Sequence, residues 1–345
     1  MNKKQKITFI VNPISGTSSK EHIPELIEEM LDHERFDYEV RQTAYRGNAA
    51  EIARESAEAG VDVVVAVGGD GTVNEVARSL VHTQTALGII PTGSGNGLAR
   101  HLCIPMNSSK ALEIINQCQI EAFDYGVING LPFFCTCGMG FDAFISQKFS
   151  ESKRRGPATY VENVLREGLR YQPETYTIED ESGRYRYQAY LVACANASQY
   201  GNNAYIAPQA SMSDGLLDVI VIEPFDLLDA PQISFDLMNK TLNKSVKVKT
   251  FTAKKVHIHR KQEGPVHFDG DPMIMGTDIE VAVVEHGIRM VVNPDSDDNA
   301  EVTPNLLQST ISELFNEVST WRSSINHQRR NMIAMNKKLI RKLTK

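Results

Sequence analysis

At 345 residues, with 41 % apolar and 23 % charged side chains, the chain is long enough for two domains and apolar enough to fill ordinary cores. It has no run of about 18 apolar residues, and Met1-Asn2-Lys3-Lys4-Gln5-Lys6 leads into a strand-sized run, so neither a membrane-spanning helix nor a signal peptide is expected; the chain reads as cytoplasmic. The net charge of −7 is uneven: residues 321–345 hold eight Lys/Arg and no acid, leaving 28 basic against 43 acidic side chains, or −15, in the body.

In chain order, residues 7–11 read as a strand, 21–31 as a helix, 38–43 as a strand and 48–59 as a helix. Residues 61–67 form a β-branched run typical of a fully buried strand, and they end in Gly68-Gly69-Asp70-Gly71 before a helical pattern at 72–80. A strand that passes through glycines into a helix gathers unpaired N–H groups at the positive end of a helix dipole, which is an anion site. The spacing is neither that of a dinucleotide fold nor that of a P-loop. A strand at 87–90 and a helix at 110–117 complete the alternation, which predicts a parallel sheet with helices on both faces. Ligands of such sheets bind beyond the carboxyl ends of the strands. Three glycine-bearing turns fall there: residues 12–16, 68–74 and 91–97.

Beyond residue 122 short strand-like runs follow one another, at 133–137, 175–179, 186–195, 216–222, 246–251, 255–259, 266–268, 278–284 and 288–292. They predict an antiparallel β-sandwich, with one helical insert at 159–169. The expected division is 1–121 (α/β), 122–292 (β-sandwich) and 293–345 (linker and C-terminal helix). The five cysteines show no metal spacing; Cys135-Thr136-Cys137 would set two thiols on one face of a strand, and core packing is their expected role. The last segment opens at Thr303 and Pro304 and repeats apolar residues at Leu307, Ile311, Leu314, Val318, Trp321 and Ile325 and, past a gap at Gln328, at Met332, Met335 and Leu339. It reads as a long amphipathic helix that packs on its own protein or forms a homodimer contact. Its basic end suits an anionic surface, although a solvated helix face is the plainer alternative.

Seven pieces occur in a familiar order: VNPISG (11–16), TAYRGNA (43–49), VGGDGTVNEV (67–76), LGIIPTGSGNGLAR (87–100), GFDA (140–143), YIAPQASMSDGLLDV (205–219) and FDGD (268–271). On these motifs the sequence resembles the diacylglycerol kinase catalytic family, the lipid kinases that also include sphingosine and ceramide kinases. The resemblance implies a nucleotide-binding α/β domain like that of NAD kinases and phosphofructokinases, joined to a β-sandwich. It implies ATP and Mg²⁺ as cofactors and a lipid at the inner membrane surface as substrate, diacylglycerol first; nucleic acid is not an expected partner. The third loop departs from the GTxNDFA of bacterial diacylglycerol kinases: Gly93-Ser94-Gly95-Asn96-Gly97 is closer to the GSGN of sphingosine and ceramide kinases. A long-chain-base kinase is therefore the alternative; an NAD kinase-like enzyme or an inactive lipid-binding protein is more remote.

Phosphoryl transfer requires the triphosphate held, its charge neutralised and the acceptor hydroxyl aligned. Gly68, Gly69 and Gly71 let backbone approach phosphate, and Thr72 and Asn74 offer side-chain hydrogen bonds at the helix start. Asp70 repels phosphate and is read as holding Mg²⁺ or its waters. Asn12, Ser15, Thr43, Ser94 and Asn96 are nucleotide-contact candidates, with turn capping the alternative for each. The resemblance makes Asp271 the proton acceptor for the lipid hydroxyl, with Asp269 assisting. It also makes Asp214, with the carbonyls of Ser211 and Leu216, a structural Mg²⁺ site, while Asp218 reads equally as a strand-edge surface residue. Lys153-Arg154-Arg155-Gly156 falls where relatives approach lipid.

Overall fold

The computed structural model describes residues 3–14, 20, 22–151, 171–226 and 229–295. The first part alternates as expected: β1 (Gln5–Val11), α1 (Ile23–Met30), β2 (Phe36–Gln42), α2 (Asn48–Glu58), β3 (Val63–Gly68), α3 (Asp70–Leu80), β4 (Ala86–Pro91), α4 (Gly97–His101) and α5 (Ser108–Gln117). All six residues of β3 and all six of β4 are buried, as a parallel strand covered on both faces requires. The pairs β1–β2, β1–β3 and β3–β4 are parallel, so the turns after β1, β2, β3 and β4 share one edge.

Then come β5 (Gln119–Ile128), β6 (Leu131–Phe133), β7 (Thr136–Gly140), α6 (Phe141–Glu151), β8 (Glu174–Asp180), β9 (Gly183–Ala189), β10 (Leu191–Ala195) and β11 (Leu217–Ile222). They are followed by α7 (Ala230–Met238), β12 (Val248–Ala253), β13 (Lys255–Arg260), β14 (Gly264–Phe268), β15 (Asp271–Met275) and β16 (Asp278–Val292). A six-stranded antiparallel sheet runs β12-β11-β10-β7-β14-β15. The other sheet has ten strands, ordered β2-β1-β3-β4-β16-β13-β8-β9, with β5 on β16 and β6 on β5.

The sequence divides residues 278–292 into two strands; the structure makes them one. β16 carries a bulge between Val284 and Ile288 and pairs along its length with β5, so that Met290 comes beside Leu87 of β4. The parallel and antiparallel regions are thus one continuous sheet, and β5 runs through the position where the sequence divides the first two domains. The single strand expected at 186–195 splits at Tyr190 into β9, at the edge of the ten-stranded sheet, and β10, inside the six-stranded one. Cys135 and Cys137 pack in cores as expected, though not on one face of a strand. Cys135 precedes β7 and packs in the core of the parallel region, whereas Cys137 packs in the core between the sheets, opposite Cys194.

Arg260 explains how the β14–β15 hairpin keeps its shape. Its guanidinium, in a residue 1 % exposed, donates to the carbonyls of Gly264, Pro265, Met275 and Gly276 at the hairpin's open end. A buried cation with four carbonyl acceptors has the partners that burial demands. The insert at 159–169, the cluster at 153–156 and the C-terminal helix with its basic tail lie outside the described residues.

Candidate active site

The turns after β1, β3 and β4 meet. The N–H of Asn12 donates to the carbonyl of Val67, and its Nδ2 to Thr72 Oγ1 at 3.0 Å. The N–H of Thr92 donates to the carbonyl of Gly68 at 2.8 Å. Gly69 and Gly93 touch backbone to backbone: a Cβ on Gly93 would stand 2.5 Å from the Cα of Gly69. Gly69 caps α3, and the N–H groups of Asp70, Gly71 and Thr72 open its first turn with no acceptor inside the helix. The glycine turn and helix start that the sequence reads as an anion site are therefore present, with two neighbouring turns packed against them.

Several side chains do something other than expected. The sequence sets Asp70 at Mg²⁺, but its Oδ2 accepts the N–H of Asn96 at 2.8 Å and its Oδ1 that of Gly97 at 2.7 Å. It clamps the third loop onto the second. Asn96, a nucleotide candidate, closes its own loop: Oδ1 accepts from Gly93 N–H, Nδ2 donates to the Gly93 carbonyl, and φ is 53°. Asn74 is buried and donates to the carbonyl of Asp269, which joins α3 to the hairpin of the other sheet. Thr72 is likewise buried, as acceptor for Asn12. Ser94 is exposed on the rim, and Thr43, at the end of the second strand, is half-buried. Ser15 lies outside the described residues. Lys20 escaped the sequence reading: it is buried, donates to the Asn12 carbonyl at 2.8 Å, and desolvation pushes its ammonium down to about 8.

Asp269 and Asp271 sit two residues apart yet differ entirely. Asp269 and Gly270 form the hairpin turn, with φ of 51° and 84°. The Asp269 carboxylate points inward and accepts the N–H groups of Phe134, Cys135 and Thr136. Burial pushes its carboxyl up, against the pull of those donors and of Arg78. Its expected part in catalysis is thus replaced by a structural one: it pins the hairpin tip to the chain entering β7. Asp271 opens β15 on the rim, with its side chain 34 % exposed. Arg78 Nη1 of α3 donates to it at 3.2 Å and Arg46 Nη2 at 3.3 Å. Arg78 also lies over the Phe268 ring, 4.9 Å from its centre. Sequence reading missed both arginines, because their partner lies about two hundred residues away.

Behind the hairpin, Asp142 of the GFDA motif accepts from Tyr200 OH at 2.9 Å and stands 3.0 Å from His267 Nε2. A Cβ on Gly138 would fall 2.3 Å from that carboxylate. The loop carrying Tyr200 packs on the third glycine loop, where the N–H of Asn202 donates to the Gly95 carbonyl. The motif was visible in the sequence; the partners of its aspartate were not.

The Ser211–Leu216 loop is tied elsewhere. The N–H of Gly215 donates to Asp124 of β5, and the N–H of Leu216 to the exposed Asp214. Asp218 is on an interior strand, between Ala195 and Thr252, and not at a sheet edge. Burial and the nearby Asp214 push its carboxyl up to about 6. Among the described residues no three His, Cys, Asp or Glu gather as a metal cluster. A half-buried carboxylate beside a second one nevertheless suits a hard cation, with carbonyls completing the set. The unfolded chain releases the Asp218 proton near pH 4 and the native chain near pH 6, so its charge costs stability as pH rises through that window. Asp218→Asn is therefore expected to stabilise the metal-free protein by about 1 kcal/mol at pH 7, after allowance for partial solvent exposure, and by little at pH 4. Urea unfolding at the two pH values measures this.

Residues 6–128 match the family model of the diacylglycerol kinase catalytic domain, and 135–295 that of the YegS C-terminal NAD kinase beta sandwich-like domain. A probable lipid kinase, YegS-like, from Chromohalobacter salexigens is 29 % identical over 239 residues, 68 % of this chain and 77 % of that protein. The probable lipid kinase YegS of Shigella boydii is 26 % identical over 275 residues, 77 % and 90 % of the two chains. The crystal structure of a diacylglycerol kinase from Bacillus anthracis superposes with a TM-score of 0.67 at 23 % identity, covering 85 % of this chain and 99 % of that one. At that identity the likeness concerns the fold.

Proposed function

The chain belongs to the diacylglycerol kinase catalytic family and is a lipid kinase; from this premise we propose that it transfers the γ-phosphoryl group of ATP to the hydroxyl of diacylglycerol, giving phosphatidic acid. The triphosphate lies against the first turn of α3, where the N–H groups of Asp70, Gly71 and Thr72 point outward from the helix start. Thr43 and Ser94 surround it from the neighbouring turns, and Lys20 adds a cation beside the turn after β1. Asp271 receives the proton of the lipid hydroxyl as the oxygen attacks the γ-phosphorus and ADP leaves. Mg²⁺ bound with ATP would offset the charge of the phosphates, and Asp214 with the carbonyls of Ser211 and Leu216 would hold a second ion.

One observation carries this reading: Asp271 is held by Arg78, which sits eight residues along the helix that begins at the anion site. At 1.5 Å per residue Arg78 lies about 12 Å along the axis from Asp70, so one helix carries both the phosphate turn and the arginine that holds Asp271. The Gly93-Ser94-Gly95-Asn96 loop favours a sphingoid base as the second reading. No helix among the described residues is long and apolar enough to cross a membrane. Labelled ATP, Mg²⁺ and separate vesicles of diacylglycerol, sphingosine and ceramide, with NAD in solution, test the assignment. Labelled phosphatidic acid is expected. Labelled sphingoid phosphate or NADP would move the substrate, and no transfer to any acceptor would leave a lipid-binding protein.

A further inference from the structure

Large apolar side chains that stand exposed among the described residues are not scattered. Five of the seven, Ile14, Tyr45, Met106, Met273 and Ile274, belong to the segments that ring the cleft; Tyr185 and Val246 lie elsewhere. Ile14, 84 % exposed, follows β1, and its N–H donates to Asn12 Oδ1. Tyr45 follows β2 and adjoins Arg46, the rim partner of Asp271. Met106 Sδ is 3.5 Å from Asn96 Nδ2 of the third loop. Met273 and Ile274 share β15 with Asp271 itself.

β15 ends the six-stranded sheet. Its register sets Met273 opposite Val266, on the face of Asp271, and Ile274 opposite Pro265, on the other face. An edge strand that shows apolar side chains on both faces invites pairing with other chains, and proteins guard or cover such edges. Asp271 is the one charged residue of β15, and both its oxygens are engaged. A second copy of the chain laid along this edge would close the cleft that must admit a lipid. The cation that stands furthest out on this rim is Arg46, whose side chain is 86 % exposed, and it suits an anionic surface.

We infer that this rim is the membrane-docking face: Ile14, Tyr45, Met106, Met273 and Ile274 enter the headgroup layer of an anionic bilayer beside Arg46, and Asp271 is thereby set at the depth of a lipid hydroxyl. The inference rests on the lipid-kinase reading and adds the surface through which substrate is reached. Apolar side chains that flank a cation are the usual composition of an interfacial anchor. Removing one from the bilayer weakens partition about tenfold, by the transfer free energy of a side chain of this size.

The test is sedimentation of the full chain with vesicles of phosphatidylcholine and phosphatidylglycerol lacking diacylglycerol, in about 0.5 M salt so that charge attraction through the basic tail is screened. The variant Ile274→Glu should bind at least about tenfold more weakly than wild type. Its turnover of a short-chain diacylglycerol dissolved as monomers should stay within about threefold, which also shows that it is folded. Val246→Glu, at a residue 84 % exposed but remote from the cleft, should bind as wild type does. Undiminished binding by Ile274→Glu overturns the inference, as does an equal loss in Val246→Glu. So does a fall in solution mass from dimer to monomer with vesicle binding unchanged, since a second copy would then be what covers the edge. If wild type phosphorylates no lipid, the substrate reading fails, and vesicle binding still decides the docking face.

Discussion

Asp271→Asn is expected to lower kcat by about 10³-fold while leaving ATP affinity and the unfolding midpoint near wild type. The substitution keeps the shape of the side chain and an oxygen for one arginine, but removes the group that takes the hydroxyl proton; such a loss costs 10²–10⁴-fold. Asp271 stands on the acceptor side of the cleft, held by Arg78 and Arg46, and its carboxylate hydrogen-bonds to none of the described residues of the glycine turns. Binding of nucleotide should therefore survive. Single-turnover transfer from prebound ATP separates the two steps. A variant that turns over at the wild-type rate would remove Asp271 from the chemistry.

Gly93→Ala is expected to raise the Kd for ATP by about 10²-fold and to cost about 1–3 kcal/mol of stability. The added methyl would stand 2.5 Å from the Cα of Gly69 and 2.8 Å from Asn96 Oδ1. A flexible side chain could turn away, but the nearer atom is backbone at the cap of α3, so the second and third loops must part. Parting them also strains the Asp70 hydrogen bonds to the N–H groups of Asn96 and Gly97. Calorimetric titration with ATP, beside urea unfolding, reads both effects. Wild-type affinity in this variant would mean that the packing of the two loops is irrelevant to the nucleotide.

The location of the site was legible because its signals are local. A buried β-branched run, a glycine turn and a helix start lie within twenty residues, and a parallel sheet brings successive strand ends to one edge. The division of labour within the site was not legible, because it depends on long-range partners. Nothing in Asp269-Gly270-Asp271 says that one carboxylate meets three N–H groups 133 to 135 residues away, while the other meets arginines 193 and 225 residues away. Asp70 and Asn96 look like ligand residues by type; each turned out to satisfy backbone groups of a neighbouring or its own loop. The merging of two sheet regions through β16 was hidden for a similar reason. A bulge at 284–288 reads as a strand break in one dimension and keeps the pairing with β5 in three.

The central claim is that the turns at the ends of β3 and β4 hold the phosphates of ATP as one unit. Amide hydrogen exchange with and without a non-hydrolysable ATP analogue and Mg²⁺ tests it most directly. Slowed exchange at residues 69–73 and 93–97 together is the predicted result. Saturable binding of the analogue with exchange unchanged in both segments would contradict it.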